Sequence, residues 1–188
     1  MLRKMLLPAL MMMATSASAD QSYGRETSAT QGVIGVEIGS FNLDAQKAFG
    51  ESWGDQYDYS TVNMAVRLGA ISDDYRLLGQ YHLINEFTES GQTVKNYLGT
   101  VHLDYMFWEW DFGQEMTLKP FIGANGGYQE YKFGSISDDG ITYGAETGLI
   151  FDFGRMDIDF GVRYMGSEIS AINSVLNVYL AVDLNIEP

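Results

Sequence analysis

The sequence has 188 residues, 46% of them hydrophobic and 13% aromatic, with 11 basic and 25 acidic side chains, a net charge of −14 and no cysteine. The missing cysteines exclude disulfides, thiol catalysis and cysteine-ligated metals. The acidic balance excludes the basic footprint that nucleic acid requires, so no nucleic-acid partner is expected.

The chain begins with Arg3 and Lys4, an apolar run from Met5 to Met13, and the small residues Ala17-Ser18-Ala19. These are the parts of a secretory signal peptide over residues 1–19, cleaved before Asp20, and the apolar core is too short for a membrane anchor. Cleavage removes Arg3 and Lys4, taking the basic count from 11 to 9 and the net charge from −14 to −16. Beyond it no apolar run approaches the roughly 18 residues of a helical span. A membrane protein without such runs must be a closed barrel, because lipid offers no partner to an open sheet edge.

Residues 20–31 are polar and aperiodic and read as a flexible periplasmic lead, leaving residues 32–188 for the barrel. A first strand is expected from Gly32 to Phe41, with Val36 and Ile38 on an apolar face and Gly35, Glu37 and Gly39 opposite. The polar stretch Asn42 to Asp58 reads as the longest loop. Its Phe49, Trp53 and Tyr57 are candidate contacts for an extracellular ligand, because aromatic anchors carry much of an interface's energy; stapling of the loop to the rim is the equal alternative. The second strand, Tyr59 to Ala70, sets Val62, Met64, Val66 and Leu68 against Asn63, Ala65 and Arg67. The third, Tyr75 to Phe87, sets Leu77, Tyr81 and Leu83 against Arg76, Gln80, His82 and Glu86.

After a polar tip, the fourth strand, Lys95 to Phe107, sets Tyr97, Val101, Leu103 and Tyr105 against Asn96, Thr100, His102 and Asp104. An aromatic, acidic link, WEWDFGQEM, leads to a glycine-rich fifth strand from Thr117 to Phe133 that carries Lys119 on its polar face. The sixth, Ile141 to Phe153, places Glu146 and Asp152 on that face. The seventh starts at Met156 and alternates Ile158, Phe160 and Val162 with Asp157, Asp159 and Arg163. The eighth alternates Leu176, Val178, Leu180, Val182 and Leu184 with Asn177, Tyr179, Ala181, Asp183 and Asn185. Strand side chains point to opposite faces in turn, and strands of about ten residues with this dyad pattern cross a bilayer when tilted. The expected fold is therefore an all-β, eight-stranded antiparallel up-and-down transmembrane β-barrel.

A soluble barrel with an apolar ligand pocket would show the same alternation, and volume separates the two. The apolar faces total about forty large residues by the alternation rule, whereas an eight-stranded barrel is just wide enough for its interior side chains. The apolar face must therefore meet lipid. The lumen takes Glu37, Arg67, Arg76, His82, Glu86, His102, Asp104, Lys119, Glu146, Asp152, Arg163 and Asp183 as a paired polar network that fills it, with Arg67, Arg76 and Arg163 as bidentate hubs. Tyr59, Tyr75, Phe107, Trp108, Trp110, Phe112, Phe151 and Phe153 lie near strand ends and suit an interfacial girdle.

The segments LKPFIGANGGYQEYKF, ITYGAETGLIFDF and FGVRYMGSE, with the closing alternating strand, resemble the small outer-membrane β-barrel family typified by OmpA's membrane domain and OmpX. The resemblance covers the mature chain and implies an eight-stranded barrel inserted by the outer-membrane assembly machinery. The family spans structural anchors, adhesins and resistance factors. Many members end on an aromatic residue, whereas this chain ends Leu184-Asn185-Ile186-Glu187-Pro188. No further domain follows the barrel, so anchoring to peptidoglycan is not expected.

Chemistry is sparse. His82 and His102 share the polar face, where a tight hairpin would bring them close across the ladder. Mid-strand in a packed lumen, they read as hydrogen-bonding spacers rather than catalysts or metal ligands. The loop serines lack a base, and Asp138-Asp139, Asp55 and Asp58 lack a full calcium-ligand spacing. No catalytic, cofactor or metal residue is assigned. The expected protein is a non-enzymatic, monomeric outer-membrane barrel. Its expected role is envelope integrity or adhesion-like surface interaction, in contact with outer-membrane lipid and lipopolysaccharide. A narrow channel and a lipid-modifying enzyme are the alternatives.

Overall fold

The computed structural model describes residues 30–49, 52–84, 87–89, 92–113 and 116–186. The expected signal peptide, residues 20–29 of the lead, and Glu86 lie outside the described residues, as do the side chains of residues 45–49, 52–59, 84, 87–89 and 92.

Period-two patterning becomes eight long strands: β1 (Gln31–Phe49), β2 (Ser52–Ile71), β3 (Tyr75–Ile84), β4 (Gln92–Met106), β5 (Thr117–Phe133), β6 (Ile136–Asp152), β7 (Met156–Ser167) and β8 (Ile172–Ile186). Two short pieces, Phe87–Glu89 and Trp110–Asp111, pair with β4 and β5 respectively. Each long strand is antiparallel to its neighbours in sequence. The ladder between β1 and β8, from Gly32↔Ile186 to Ala45↔Ile172, closes the sheet. The result is a closed eight-stranded antiparallel up-and-down barrel, the form that leaves no edge strand unpaired in lipid.

The two faces sort as the alternation dictates. Val36 is 57% exposed and Leu180 45% on the outside, while Arg163 and Asp159 are fully buried in the lumen. Outward rows such as Ile34-Val36-Ile38, Val62-Met64-Val66-Leu68 and Leu176-Val178-Leu180 form an apolar belt. The connections Ile71–Tyr75 and Asp152–Met156 are tight and share an end with Gln31 and Ile186. In the second, Asp152 Oδ1 accepts from Gly154 N at 2.7 Å and Gly154 takes φ 81°, a left-handed conformation that glycine adopts without strain. Short turns mark the periplasmic end of such barrels.

The opposite end corrects the expected loop Asn42 to Asp58. Its backbone is not a loop but a continuation of the β1–β2 ladder, running Asn42↔Ser60, Asp44↔Asp58 and Ala45↔Tyr57, then through a bulge to Ala48↔Trp53 and Phe49↔Ser52. Backbone pairing in a ladder continues whatever the side chains, and above the lipid neither face must be apolar, so the period-two signal vanishes while the strand persists. The β5–β6 hairpin does the same: Ile136 to Asp139 pair with Glu130 to Phe133 around a turn at Gly134.

The lumen holds two apolar clusters as well, which corrects the expectation that polar groups fill it. One, near the extracellular end, contains Phe41, Leu98, Phe133, Met165, Ile172 and Val175. A second, towards the periplasmic end, contains Val33, Ile71, Leu78, Met106, Phe121, Ile150, Tyr179 and Ala181. The charged network interleaves with it: Arg76 lies nearer the periplasmic turn than Leu78, and Asp183 nearer than Tyr179 and Ala181. Inward-facing glycines make room for it: a Cβ on Gly35 would stand 1.8 Å from Asp183 Oδ1, and one on Gly123 2.0 Å from Asp104 Oδ1.

Candidate functional site

Two arginine hubs organise the charged network. From β7, Arg163 Nη1 and Nη2 donate to Glu37 Oε1 and Oε2 on β1 at 3.2 and 3.3 Å. Its Nε donates to Glu146 Oε2 on β6 at 2.9 Å, and its guanidinium lies 4.7 Å from the centre of the Tyr179 ring. Asn177 Nδ2 donates to Glu37 Oε1 at 3.0 Å, and the Tyr179 hydroxyl donates to Glu146 Oε2 at 3.2 Å. Tyr179 in turn lies over Gly161, its register partner, where no side chain intervenes.

The second hub gathers Arg67 and Arg76 around shared carboxylates. Arg67 Nη2 is 2.8 Å from Asp159 Oδ2 and 3.2 Å from Asp183 Oδ2. Arg76 Nε donates to Asp104 Oδ2 at 3.0 Å, its Nη1 donates to Asp159 Oδ2, and its guanidinium lies 5.0 Å from the centre of the Phe121 ring. Charged pairs of this kind, hydrogen-bonded and out of water, are the arrangement in which buried charge is tolerated.

Each histidine has its own partner. The register sets His82 opposite Leu98 and His102 opposite Leu78, so the expected cross-strand adjacency is not a register pair. His82 Nδ1 lies 2.9 Å from Asn63 Nδ2. His102 Nδ1 hydrogen-bonds Glu146 Oε1, and its Nε2 lies 2.7 Å from Thr100 Oγ1. Hydroxyl, imidazole and carboxylate thus stand in the order of a nucleophile relay. All three are buried, and Arg163 Nε also donates to the Glu146 carboxylate. The bonds tie β4 to β6. Among the described residues no group of three or more histidines and carboxylates is placed to hold a metal ion.

Of the residues expected in the lumen, Glu37, Arg67, Arg76, His82, His102, Asp104, Glu146, Arg163 and Asp183 are buried there. Lys119 and Asp152 are not part of that network. They pair with each other at 3.0 Å, partly exposed at the periplasmic mouth, because β5 and β6 end there. Phe49, Trp53 and Tyr57 lie on the β1–β2 ladder, their side chains outside the described residues. Tyr179, Asn177 and Thr100 join the network without having been singled out as candidates. Their signal was available, since each shares a parity with charged lumen residues on its own strand.

Two aromatic bands complete the exterior. Tyr75, Phe107, Trp108, Trp110, Phe112 and Phe153 are exposed at the periplasmic end, as expected of a girdle. The Tyr59 side chain lies outside the described residues. A second band runs along the extracellular end of the belt through Tyr128, Tyr143 and Tyr164, where hydroxyls meet headgroups.

No protein-family model matches the chain, and no curated protein sequence does. Solved structures do. Neisserial surface protein A superposes with a TM-score of 0.58 at 17% identity, over 80% of this chain and 96% of that one. Outer membrane protein H (OprH) of P. aeruginosa gives 0.57 at 19%, over 83% and 99%. The N-terminal β-barrel domain of Pseudomonas aeruginosa OprF gives 0.52 at 15%, over 82% and 97%. Closed ladder, apolar belt, filled lumen and structural neighbours agree: the chain has the fold of the small outer-membrane β-barrels typified by OmpA's membrane domain and OmpX.

Proposed function

We propose that the protein is exported through a cleaved signal peptide, inserted by the outer-membrane assembly machinery, and works in the outer membrane as a sealed, monomeric barrel without enzymatic activity. Its role is envelope integrity or surface interaction through the hairpins that rise above the belt. The carrying observation is the inversion of polarity: large apolar side chains cover the outside while fully buried ion pairs occupy the inside. Only a lipid solvent makes that distribution favourable. The β1–β2 hairpin is the longest projection and holds the aromatic residues Phe49, Trp53 and Tyr57, which supports it as the contact element.

Replacing residues 46–56 by a two-residue turn separates the two roles. If the hairpin is the contact element, cells with the shortened barrel lose surface attachment and keep their resistance to detergent. If the barrel's service is structural, attachment is unchanged, and deletion of the whole gene sensitises the envelope. The channel is the weaker reading, because buried ion pairs and packed apolar side chains occupy the lumen. Planar-bilayer recordings of the purified barrel are expected to stay silent, and discrete openings would reinstate it.

A further inference from the structure

Two of the extracellular hairpins, β1–β2 and β5–β6, carry their ladders outward, whereas the connection from Ser167 to Ile172 between β7 and β8 turns inward. It is a tight turn: Ile172 N donates to Ile169 O at 3.1 Å, and Ser167 Oγ accepts from Ile169 N at 3.2 Å. Connections at a rim are ordinarily wetted, yet Ile169 is 3% exposed, Ile172 is 1% exposed and Ala171 is fully buried. All three belong to the apolar cluster that contains the inward-facing Phe41, Leu98, Met165 and Val175.

Gly140 shows which way Ile169 points. A Cβ on Gly140 would stand 3.2 Å from Ile169 Cγ1 and 3.5 Å from Ile169 N. Gly140 shares its parity along β6 with the buried Thr142 and Glu146, so its open face is luminal and the Ile169 side chain enters the lumen there. Two bonds hold the turn on β6. Glu168 N donates to Ile141 O at 2.9 Å, and Ser170 N donates to Asp138 Oδ2 at 3.0 Å. The other oxygen of that carboxylate, Oδ1, accepts from Asp139 N at 3.0 Å, which orients it. On the opposite flank Asn173 Nδ2 donates to Asp44 Oδ2 of β1 at 3.4 Å.

The attachment is uneven. Continuous ladders end at Thr142↔Ser167 on one side and at Ala45↔Ile172 on the other. Between those ends the turn is tied by single bonds, and segments tied in this way open locally at less than the cost of global unfolding. Beneath it Met165 and Val175 face each other as register partners, and the next inward pair, Arg163 with Asn177, belongs to the charged network.

We propose that the β7–β8 turn is a lid over the extracellular end of the lumen, with Ile169 as its stopper and Asp138 as its catch. It swings away from β6 while the barrel ladders stay intact. Opening admits small solutes as far as Met165 and Val175, and the Glu146–Arg163 ion pair forms the floor. The lid rests on the reading of the protein as a closed outer-membrane barrel and names the part that closes it.

The chain has no cysteine, so one introduced thiol reports on one place. Val175→Cys puts a thiol beneath the lid, Met165→Cys gives a second reporter at the same depth, and Ile150→Cys puts one in the other apolar cluster. Ser137→Cys serves as the exposed reference. Each is made in the mature protein and folded in neutral detergent, with folding verified by the change in gel mobility on boiling. Modification by a small charged methanethiosulfonate is followed by mass spectrometry. With the lid intact, the thiols at 175, 165 and 150 should all react slowly. Asp138→Ala removes a hydrogen bond to a charged acceptor and should speed modification at 175 and 165 about tenfold. Gly140→Val, whose side chain needs the place of Ile169, should act in the same direction, and position 150 should stay slow in both. The lid is overturned if positions 175 and 165 react as fast as the exposed reference with the lid intact, or at one rate with and without these changes. It is overturned equally if position 150 accelerates as much as 175, since the whole barrel is then loosened. Absence of a mobility shift for the cysteine-free chain in every detergent overturns the closed-barrel reading, and the lid with it.

Discussion

Arg163 shows how much one buried side chain can hold. It joins β7 to β6 through Glu146 and to β1, two strands away, through Glu37, while Tyr179 of β8 covers its guanidinium. Removing it would leave two carboxylates in a space closed to water. Arg163→Met is therefore expected to cost about 3–5 kcal/mol, read as a lower urea midpoint for the barrel in micelles. A midpoint unchanged from wild type would show that water reaches the network. Glycine positions make the same point through volume. In Gly35→Ala the new methyl would fall 1.8 Å from Asp183 Oδ1 and 2.6 Å from the Val182 carbonyl oxygen, and the carbonyl belongs to a ladder that cannot retreat. A loss of about 1–3 kcal/mol is expected. On the outside of the same barrel, Gly126→Ala meets no atom nearer than 3.7 Å and should change stability by less than about 0.5 kcal/mol. Unfolding of the two variants under one set of conditions checks both.

At the scale of the strand, position along the membrane normal decides what a residue may be. Val36 lies mid-belt, opposite Val182 on one side and Val66 on the other. Val36→Arg should destabilise the folded barrel by about 2–4 kcal/mol in lipid; a soluble barrel with Val36 on its wetted surface would tolerate it, and folding into vesicles at matched lipid ratio distinguishes them. This dependence on depth also explains how the strands were legible. Within the belt one face must be apolar and the other polar, so rows such as Met156-Ile158-Phe160-Val162 against Asp157-Asp159-Arg163 specify both strand and facing. Above the belt that requirement ends. Residues 42–58 keep their ladder, yet polar side chains on both faces read as a loop. The apolar clusters of the lumen were hidden for a related reason. Leu78, Phe121 and Ile150 sit in rows with polar or glycine neighbours, and a single apolar residue in such a row resembles noise until the closed sheet brings the rows into one cluster.

Taken as one object, the barrel has an apolar coat and a lumen in which an ion-paired network and two apolar clusters share the space. The coat commits it to lipid. The three lumen arginines face six buried carboxylates, Glu37, Asp104, Glu146, Asp157, Asp159 and Asp183, so part of the formal charge of −14 is carried inside the barrel. Among the described residues Asp73, Asp74, Glu109 and Asp139 add exposed carboxylates towards the two ends. All of this depends on one claim, that the chain is a closed barrel in the outer membrane. The direct test is electrophoresis of the isolated outer-membrane fraction in SDS, boiled against unboiled. A closed barrel whose backbone bonds are all paired resists cold SDS and runs at a different apparent mass until heat opens it, so a heat-dependent shift in that fraction is the predicted result. Identical mobility with and without boiling, and recovery of the protein from the soluble periplasm, would contradict the account.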